Sequence, residues 1–191
     1  MANTFWTLFL SLLAASIGVL AWSWAPDRSV DSLKARWAAP PSRFVTLQGM
    51  QVHLRDEGPR DDPMPIVLLH GTSDSLHTWE GWVQALAPQR RVIRFDLPAF
   101  GLTGTHPQGD YSIDMYVRFV FAVMDSLQVP QAVVGGNSLG GQIAWGVAVA
   151  APARVGKLLL VDAAGYPLSP KSVPIGFLIA RIPGLRHAME Y

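Results

Sequence analysis

The stretch AVVGGNSLGG, residues 132–141, indicates the fold class of this chain. Its centre is GNSLG, a G-x-S-x-G pentapeptide at residues 136–140. The apolar run at 132–134 predicts a strand before the pentapeptide, and the Ala- and Gly-rich run at 139–150 predicts a helix after it. A serine flanked in this way occupies a sharp turn from strand to helix at the edge of a sheet.

Each position of the pentapeptide has a physical reason. A turn made within a few residues strains the backbone of Ser138 and leaves no room for side chains at Gly136 and Gly140. The helix that follows directs its N-terminal N–H groups toward the serine hydroxyl. The pattern therefore predicts that Ser138 is a nucleophile and that the backbone N–H of Leu139 stabilises an oxyanion.

A second turn follows an earlier apolar run. Residues 65–69 (PIVLL) predict a strand buried on both faces, and the strand continues directly into His70, Gly71, Thr72 and Ser73. Gly71 allows the backbone to fold back, so that the N–H of Thr72 points at an oxyanion, with Ser73 as the second candidate donor. His70 is predicted to close this turn through its ring and not to transfer protons.

Strand and helix patterns alternate along the rest of the body, which predicts an α/β fold with a mostly parallel sheet wrapped by helices. Gly49 separates the first two strands and predicts a hairpin between them. The predicted strands are 44–47, 51–55, 65–69, 91–95, 132–134 and 157–161, and the predicted helices are 78–86, 112–127 and 139–150.

Four stretches of the chain together resemble the α/β-hydrolase fold superfamily over residues 44–166. They are HGTSDSLHTW, FDLPAFGLT, GGNSLGG and LLLVDAAG. The resemblance is to the serine members, which include carbon–carbon bond hydrolases, esterases and lipases. Epoxide hydrolases and haloalkane dehalogenases of the same branch carry Asp where Ser138 stands, so those two activities are not expected. The strand end and Pro/Gly turn at residues 94–103, which include Asp96, are predicted to be scaffold and to take no part in the chemistry. Ala99 stands where family members usually have Gly, a departure that concerns only the geometry of this turn.

The resemblance also implies a catalytic acid and then a histidine, both after the nucleophile in the chain. Asp162 and His187 follow Ser138 in that order and are the triad candidates. Against them, Asp162 resembles a common non-catalytic strand end, and His187 lies in a proline-broken stretch that resembles the start of a lid. The alternative is that the chain corresponds to the N-terminal part of a longer hydrolase, whose last strands and helices are not in this sequence.

The first 26 residues carry no charged side chain. The apolar stretch 5–24 would span about 30 Å as a helix, the thickness of a bilayer core, and Trp residues stand at both of its ends. We expect a retained transmembrane anchor, and a cleaved signal peptide is the alternative. The basic residues that follow favour a cytoplasmic body under the positive-inside rule: they are Arg28, Lys34, Arg36 and Arg43.

These patterns divide the chain into an anchor (1–25), a linker (26–43), a hydrolase core (44–165) and the start of a lid or cap (166–191). With 15 basic and 14 acidic residues and no Cys, the composition predicts no nucleic-acid partner and no Cys-ligated metal. No cofactor motif is present. The expected function is a membrane-anchored serine hydrolase that acts on a small hydrophobic substrate without a cofactor and cleaves an ester or related acyl bond, with a carbon–carbon bond as the further option. The alternative is a membrane-tethered, non-catalytic module with an incomplete triad. The sequence does not indicate an oligomeric state.

Overall fold

Residues 2–24 and 28–167 are described by the computed structural model, together with the single positions 175, 178 and 182. The chain divides into two compact units, Met1–Trp37 and Ala38–Tyr191. The first unit is helical, and the second unit contains the sheet and the G-x-S-x-G turn.

The helix α1 (Ala2–Ser23) covers almost all of the uncharged leader. Its 22 residues correspond to a length of about 33 Å. Among the described residues, it is the one helix that is long and apolar enough to cross a membrane. Signal sequences and the core helices of soluble proteins share this length and composition, so the helix is compatible with an anchor but does not by itself establish one.

A second helix, α2 (Val30–Trp37), lies inside the segment predicted to be a linker. Asp31 stands in its first turn and Lys34 and Arg36 in its last, an order that suits the helix dipole. The Nζ atom of Lys34 lies 2.7 Å from Oδ1 of Asp31. The linker prediction did not include this helix, because eight residues are too few to show a clear periodic pattern.

The second unit is built on a mixed sheet of six strands in the order β1-β2-β4-β3-β5-β6. The first two strands form the predicted antiparallel hairpin, and β3 to β6 run parallel, as predicted. The strands are β1 (Arg43–Leu47), β2 (Met50–Glu57), β3 (Ile66–Leu69), β4 (Val92–Phe95), β5 (Ala132–Asn137) and β6 (Val155–Val161).

Helices follow the parallel strands at the predicted places. A 3-10 helix (Leu76–Trp79) leads into α3 (Glu80–Leu86), so this helical segment starts two residues before its predicted start. The other helices are α4 (Ile113–Ser126), α5 (Leu139–Ala150) and a 3-10 turn (Pro152–Arg154). The hydroxyl of Ser112 accepts a hydrogen bond from the N–H of Met115 at 3.2 Å and thereby caps the start of α4.

The sheet is covered on both faces, because alternate residues of each strand point to opposite sides. Val67 and Leu69 of β3 belong to the larger apolar cluster, which includes residues of α4 and α5 such as Phe119. Ile66 and Leu68 belong to the smaller cluster, with residues of the 3-10 helix and α3. All four residues of β3 are buried, which is why its sequence is continuously apolar.

Candidate active site

Ser138 occupies the turn between β5 and α5 in a strained conformation. Its backbone has φ of 51° and ψ of −115°, between a strand that ends at Asn137 and a helix that begins at Leu139. A residue other than glycine in such a region costs about 1–3 kcal/mol and persists only when its surroundings hold it in place. Because Leu139 is the first residue of α5, its N–H has no acceptor inside the helix.

Hydrogen bonds to the end of β6, to the turn after it and to α5 hold this conformation. The N–H of Ser138 donates to the carbonyl of Val161 at 3.1 Å. The Ser138 carbonyl accepts hydrogen bonds from the N–H of Ala164 at 2.9 Å and from that of Gln142 at 3.0 Å. The side-chain amide of Asn137 also donates to Val161, at 3.1 Å. Both the backbone N–H and the backbone carbonyl of Ser138 are therefore held by hydrogen bonds to other backbone groups.

The two glycines of the pentapeptide lie where no side chain fits. A Cβ atom at Gly136 would lie 2.2 Å from the backbone of Gly140. One at Gly140 would lie 2.3 Å from the carbonyl oxygen of Leu69 and 2.5 Å from that of His70. Gly140 therefore lets the start of α5 lie directly against the end of β3.

The turn after β3 lies next to Ser138. Strands β3 and β5 are neighbours, with Leu69 opposite Gly136. A Cβ atom at Gly71 would lie 3.3 Å from the Cβ of Ser138 and 2.8 Å from Oδ1 of Asn137. The fold therefore brings both turns to one edge of the sheet. The two oxyanion donors predicted from the sequence lie in these turns, Thr72 directly after Gly71 and Leu139 directly after Ser138.

The ring of His70 is fully buried and both of its nitrogens are engaged. Its Nε2 accepts a hydrogen bond from the N–H of Leu97 at 2.9 Å, which assigns the ring proton to Nδ1, 2.8 Å from the carbonyl of Gly71. Phe100 packs edge-on against the ring. Burial lowers the pKa of His70 below its usual value, against the opposing effect of the hydrogen bond to Gly71. These contacts suit a turn-closing residue and leave no ring nitrogen for a proton transfer from Ser138.

Of the two triad candidates, Asp162 lies in the described part of the chain. Asp162 follows β6 with φ of 45°, and its side chain is exposed. His187 lies outside the described residues, as does most of the predicted lid. Within residues 28–167, no histidine or carboxylate side chain is hydrogen-bonded to the hydroxyl of Ser138.

The other three histidines of the chain have their own contacts. His77 lies in the 3-10 helix, where its Nδ1 is 2.8 Å from Oε1 of Glu80. His106 lies on a loop beside Tyr111. His53 lies on β2, fully buried, with its Nδ1 2.8 Å from Oδ2 of Asp96.

Asp96 is a buried hydrogen-bonding centre that the sequence indicates only as part of a scaffold turn. Besides His53, its carboxylate accepts hydrogen bonds from the N–H of Leu76 at 2.8 Å and of Leu102 at 2.7 Å. It therefore joins β2, the segment after the Gly71 turn and the loop after β4. Burial alone would raise the pKa of Asp96, but the hydrogen bonds from His53, Leu76 and Leu102 hold it below its ordinary value.

This lowered pKa predicts a pH dependence of stability. The folded Asp96 releases its proton more readily than the unfolded one, so its contribution is complete above the ordinary pKa of 3.8 and is lost as the pH falls through the lower folded pKa. We expect the free energy of unfolding to decrease below about pH 4. Denaturant unfolding at pH 7, 5, 4 and 3 measures this free energy. In the Asp96→Asn variant it should decrease less steeply with falling pH than in the unsubstituted protein. Parallel curves for the two proteins would contradict the assignment to Asp96.

Comparison with protein families identifies the alpha/beta hydrolase fold over residues 64–185. This match begins just before β3, includes the Gly71 and Ser138 turns and covers more than half of the chain. It bears out the resemblance seen in the sequence stretches.

Named relatives agree with this match. The chain is 33% identical over 126 residues to a 2-hydroxymuconate semialdehyde hydrolase of Pseudomonas sp., covering 64% of this chain and 44% of the relative. It is 30% identical over 155 residues to a 2-hydroxy-6-oxo-2,4-heptadienoate hydrolase of Pseudomonas putida, covering 78% of this chain and 55% of the relative. The chain thus spans about half the length of these two relatives.

A solved structure has the same architecture. The meta-cleavage product hydrolase of Pseudomonas fluorescens superposes with a TM-score of 0.62 and 29% identity, over 66% of this chain and 47% of that one. Sheet topology, the strained serine turn and sequence similarity therefore lead to one classification: the chain belongs to the alpha/beta hydrolase fold family.

Proposed function

We propose that this chain contributes a serine hydrolase site that cleaves an ester, a related acyl bond or a carbon–carbon bond next to a carbonyl. The observation that carries this proposal is the conformation of Ser138, whose φ of 51° places it on a sharp turn between a buried strand and a helix. Relatives named as hydrolases of 2-hydroxymuconate semialdehyde and of 2-hydroxy-6-oxo-2,4-heptadienoate support a carbonyl substrate.

In this proposal, the hydroxyl of Ser138 attacks the substrate carbonyl. The N–H groups of Leu139 and Thr72 stabilise the negative charge that develops on the carbonyl oxygen. Gly136 and Gly140 permit the sharp turn, while Gly71 and His70 shape the turn that carries Thr72. A serine hydroxyl requires a histidine to remove its proton, and an acid to orient that histidine. Asp162 and His187 are the candidates in this chain, and a histidine supplied by further residues of a longer protein is the alternative.

We also propose that residues 5–24 anchor the protein in a membrane, with the body on the cytoplasmic side. The length of α1 and the tryptophans near its ends support an anchor, and the basic residues that follow it support the orientation. A cleaved signal sequence is the competing interpretation. The apolar character of residues 166–191 supports a small hydrophobic substrate.

A serine-directed probe and an ester substrate test the enzymatic role. The full chain in detergent should form a fluorophosphonate adduct at Ser138 and release p-nitrophenolate from p-nitrophenyl butyrate with turnover. Ser138→Ala should abolish the adduct at this position and the continued release of p-nitrophenolate over many reaction cycles. The matched control is Ser126→Ala, since that hydroxyl bonds only a backbone carbonyl, at 2.8 Å from Val123. If the folded chain gives neither an adduct at Ser138 nor turnover, this chain is not an enzyme by itself.

One observation favours a second candidate function, a non-catalytic module tethered to a membrane. In the part of the chain that the structure describes, the Ser138 hydroxyl has no histidine partner. Such a module would keep the sheet and the serine turn without a working triad. Turnover of the ester that disappears in Ser138→Ala would eliminate this candidate.

A further inference from the structure

A second serine of the chain has the partners that Ser138 lacks among the described residues. The hydroxyl oxygen of Ser42 lies 2.8 Å from Nε2 of His53, and Nδ1 of the same ring lies 2.8 Å from Oδ2 of Asp96. Ser42 directly precedes β1, His53 lies on β2 and Asp96 follows β4. Strands β4 and β3 separate His53 from the strand that leads to Ser138, so the two serines belong to different places on the sheet.

The hydrogen-bond partners of Ser42, His53 and Asp96 indicate where the protons lie between these three side chains. The pKa of Asp96 is low despite its burial, because hydrogen bonds favour its charged form, so its carboxylate only accepts. When the His53 ring is neutral, its one proton lies on Nδ1 against this carboxylate, and the lone pair of Nε2 faces Ser42. The Ser42 hydroxyl therefore donates to Nε2. This is the arrangement in which a histidine can remove the proton of a serine.

A cation completes the surroundings of the Ser42 oxygen. Nε of Arg55 donates a hydrogen bond to it at 2.8 Å. Arg55 is itself held by Oε1 of Glu80, 2.9 Å from its Nη1. A guanidinium at this distance stabilises negative charge on the serine oxygen as its proton leaves. The oxygen therefore lies between a base on one side and a positive charge on the other.

The base is held rigidly while the serine remains reachable. His53 is fully buried, and its ring stacks on Phe44 with the centroids 5.2 Å apart. Its backbone N–H donates to the hydroxyl of Thr103 at 3.1 Å. Ser42, in contrast, is only partly buried. Preorganised partners and an accessible oxygen are the two requirements of a nucleophilic serine.

We propose that Ser42 is a second nucleophilic serine, which reacts with small activated esters and phosphonates. In the reaction with a fluorophosphonate, the Ser42 oxygen forms a bond to phosphorus, the phosphorus–fluorine bond breaks and fluoride leaves. The hydroxyl proton moves to Nε2 of His53. With an activated ester, the Ser42 oxygen forms a bond to the acyl carbon, the ester's own acyl–oxygen bond breaks, and the alcohol leaves as its anion in a single acylation step. His53 acts as the base, and Asp96 is a positioning residue that fixes the ring.

The sequence allows this site to be tested apart from the proposed function at Ser138. Trypsin should release residues 37–43, WAAPPSR, in which Ser42 is the one serine. The full chain carrying Ser138→Ala, in detergent, is treated with a fluorophosphonate, digested and analysed by mass spectrometry. We expect an adduct on this peptide, and none after Ser42→Ala is added. Labelling should be unchanged by Ser126→Ala, the matched control.

Two further measurements separate a nucleophile from a merely exposed serine. Labelling of Ser42 should disappear in urea, where His53 and Asp96 no longer face it. In a folded His53→Gln variant the labelling rate should fall about 100-fold or more, the usual contribution of a general base. The proposal is overturned if the folded Ser138→Ala protein gives no adduct on residues 37–43, or if the adduct forms equally fast in urea. Should His53→Gln not fold, the urea comparison decides.

Discussion

Asp96→Asn is expected to lower the free energy of unfolding by about 1–3 kcal/mol, the usual loss when a buried hydrogen-bond donor is left without its acceptor. The carboxylate accepts from three donors, His53 and the N–H groups of Leu76 and Leu102. An asparagine keeps one acceptor oxygen and presents an NH2 group to the remaining donors. Buried donors then lose their partners, which costs more than the hydrogen bonds contribute on balance.

Denaturant unfolding followed by tryptophan fluorescence, at pH 7, measures this loss. Asp61→Asn is the matched control, because Asp61 is exposed, and its substitution should change stability by less than about 0.5 kcal/mol. A loss below about 1 kcal/mol for Asp96→Asn would show that the three donors find other partners. The result also bears on the candidate site, because Asp96 connects the segment after the Gly71 turn to the loop after β4.

Gly140→Ala is expected to destabilise the protein by about 3 kcal/mol, near the upper end for overpacked positions. The added Cβ would lie 2.3 Å from the carbonyl oxygen of Leu69 and 2.5 Å from that of His70. Both are backbone atoms, so no side-chain rotation can relieve the contact. Helix α5 must move away from the end of β3, and with it the N–H of Leu139. We therefore expect fluorophosphonate labelling of Ser138 to be lost along with stability.

The matched control is Gly81→Ala in α3, where no atom lies within 4 Å of the added Cβ. Since alanine is a better helix former than glycine, this substitution should raise stability by up to about 1 kcal/mol. The same denaturant experiment measures both variants. Equal effects of the two substitutions would mean that the contact at Gly140 is not what requires glycine there.

The local features of the fold were predictable from the sequence. The strand, turn and helix around Ser138, the hairpin around Gly49 and the buried strand before His70 all follow from short patterns. Boundaries shifted by a few residues, and α2 was absent from the prediction. The length and composition of α1 indicate a membrane helix, yet these properties are shared with signal sequences and buried helices.

The partners of the polar side chains were not predictable. Asp96 stands in a stretch that reads as a scaffold turn, and nothing local indicates that it bonds to His53, 43 residues earlier. His53 itself is one of several scattered histidines with no motif around it. Likewise, a search for a base for Ser138 along the chain leads to His187, whereas the structure shows a histidine beside Ser42 instead.

The sequence by itself determined the strained serine turn, because the steric demand for Gly136 and Gly140 and the periodicity of the adjoining strand and helix act over a few residues. Tertiary structure alone decided which serine lies beside a histidine. That choice depends on the order β1-β2-β4-β3-β5-β6, which sets Ser42, His53 and Asp96 side by side. Strand order results from packing over the whole sheet, and short-range patterns in the chain do not encode it.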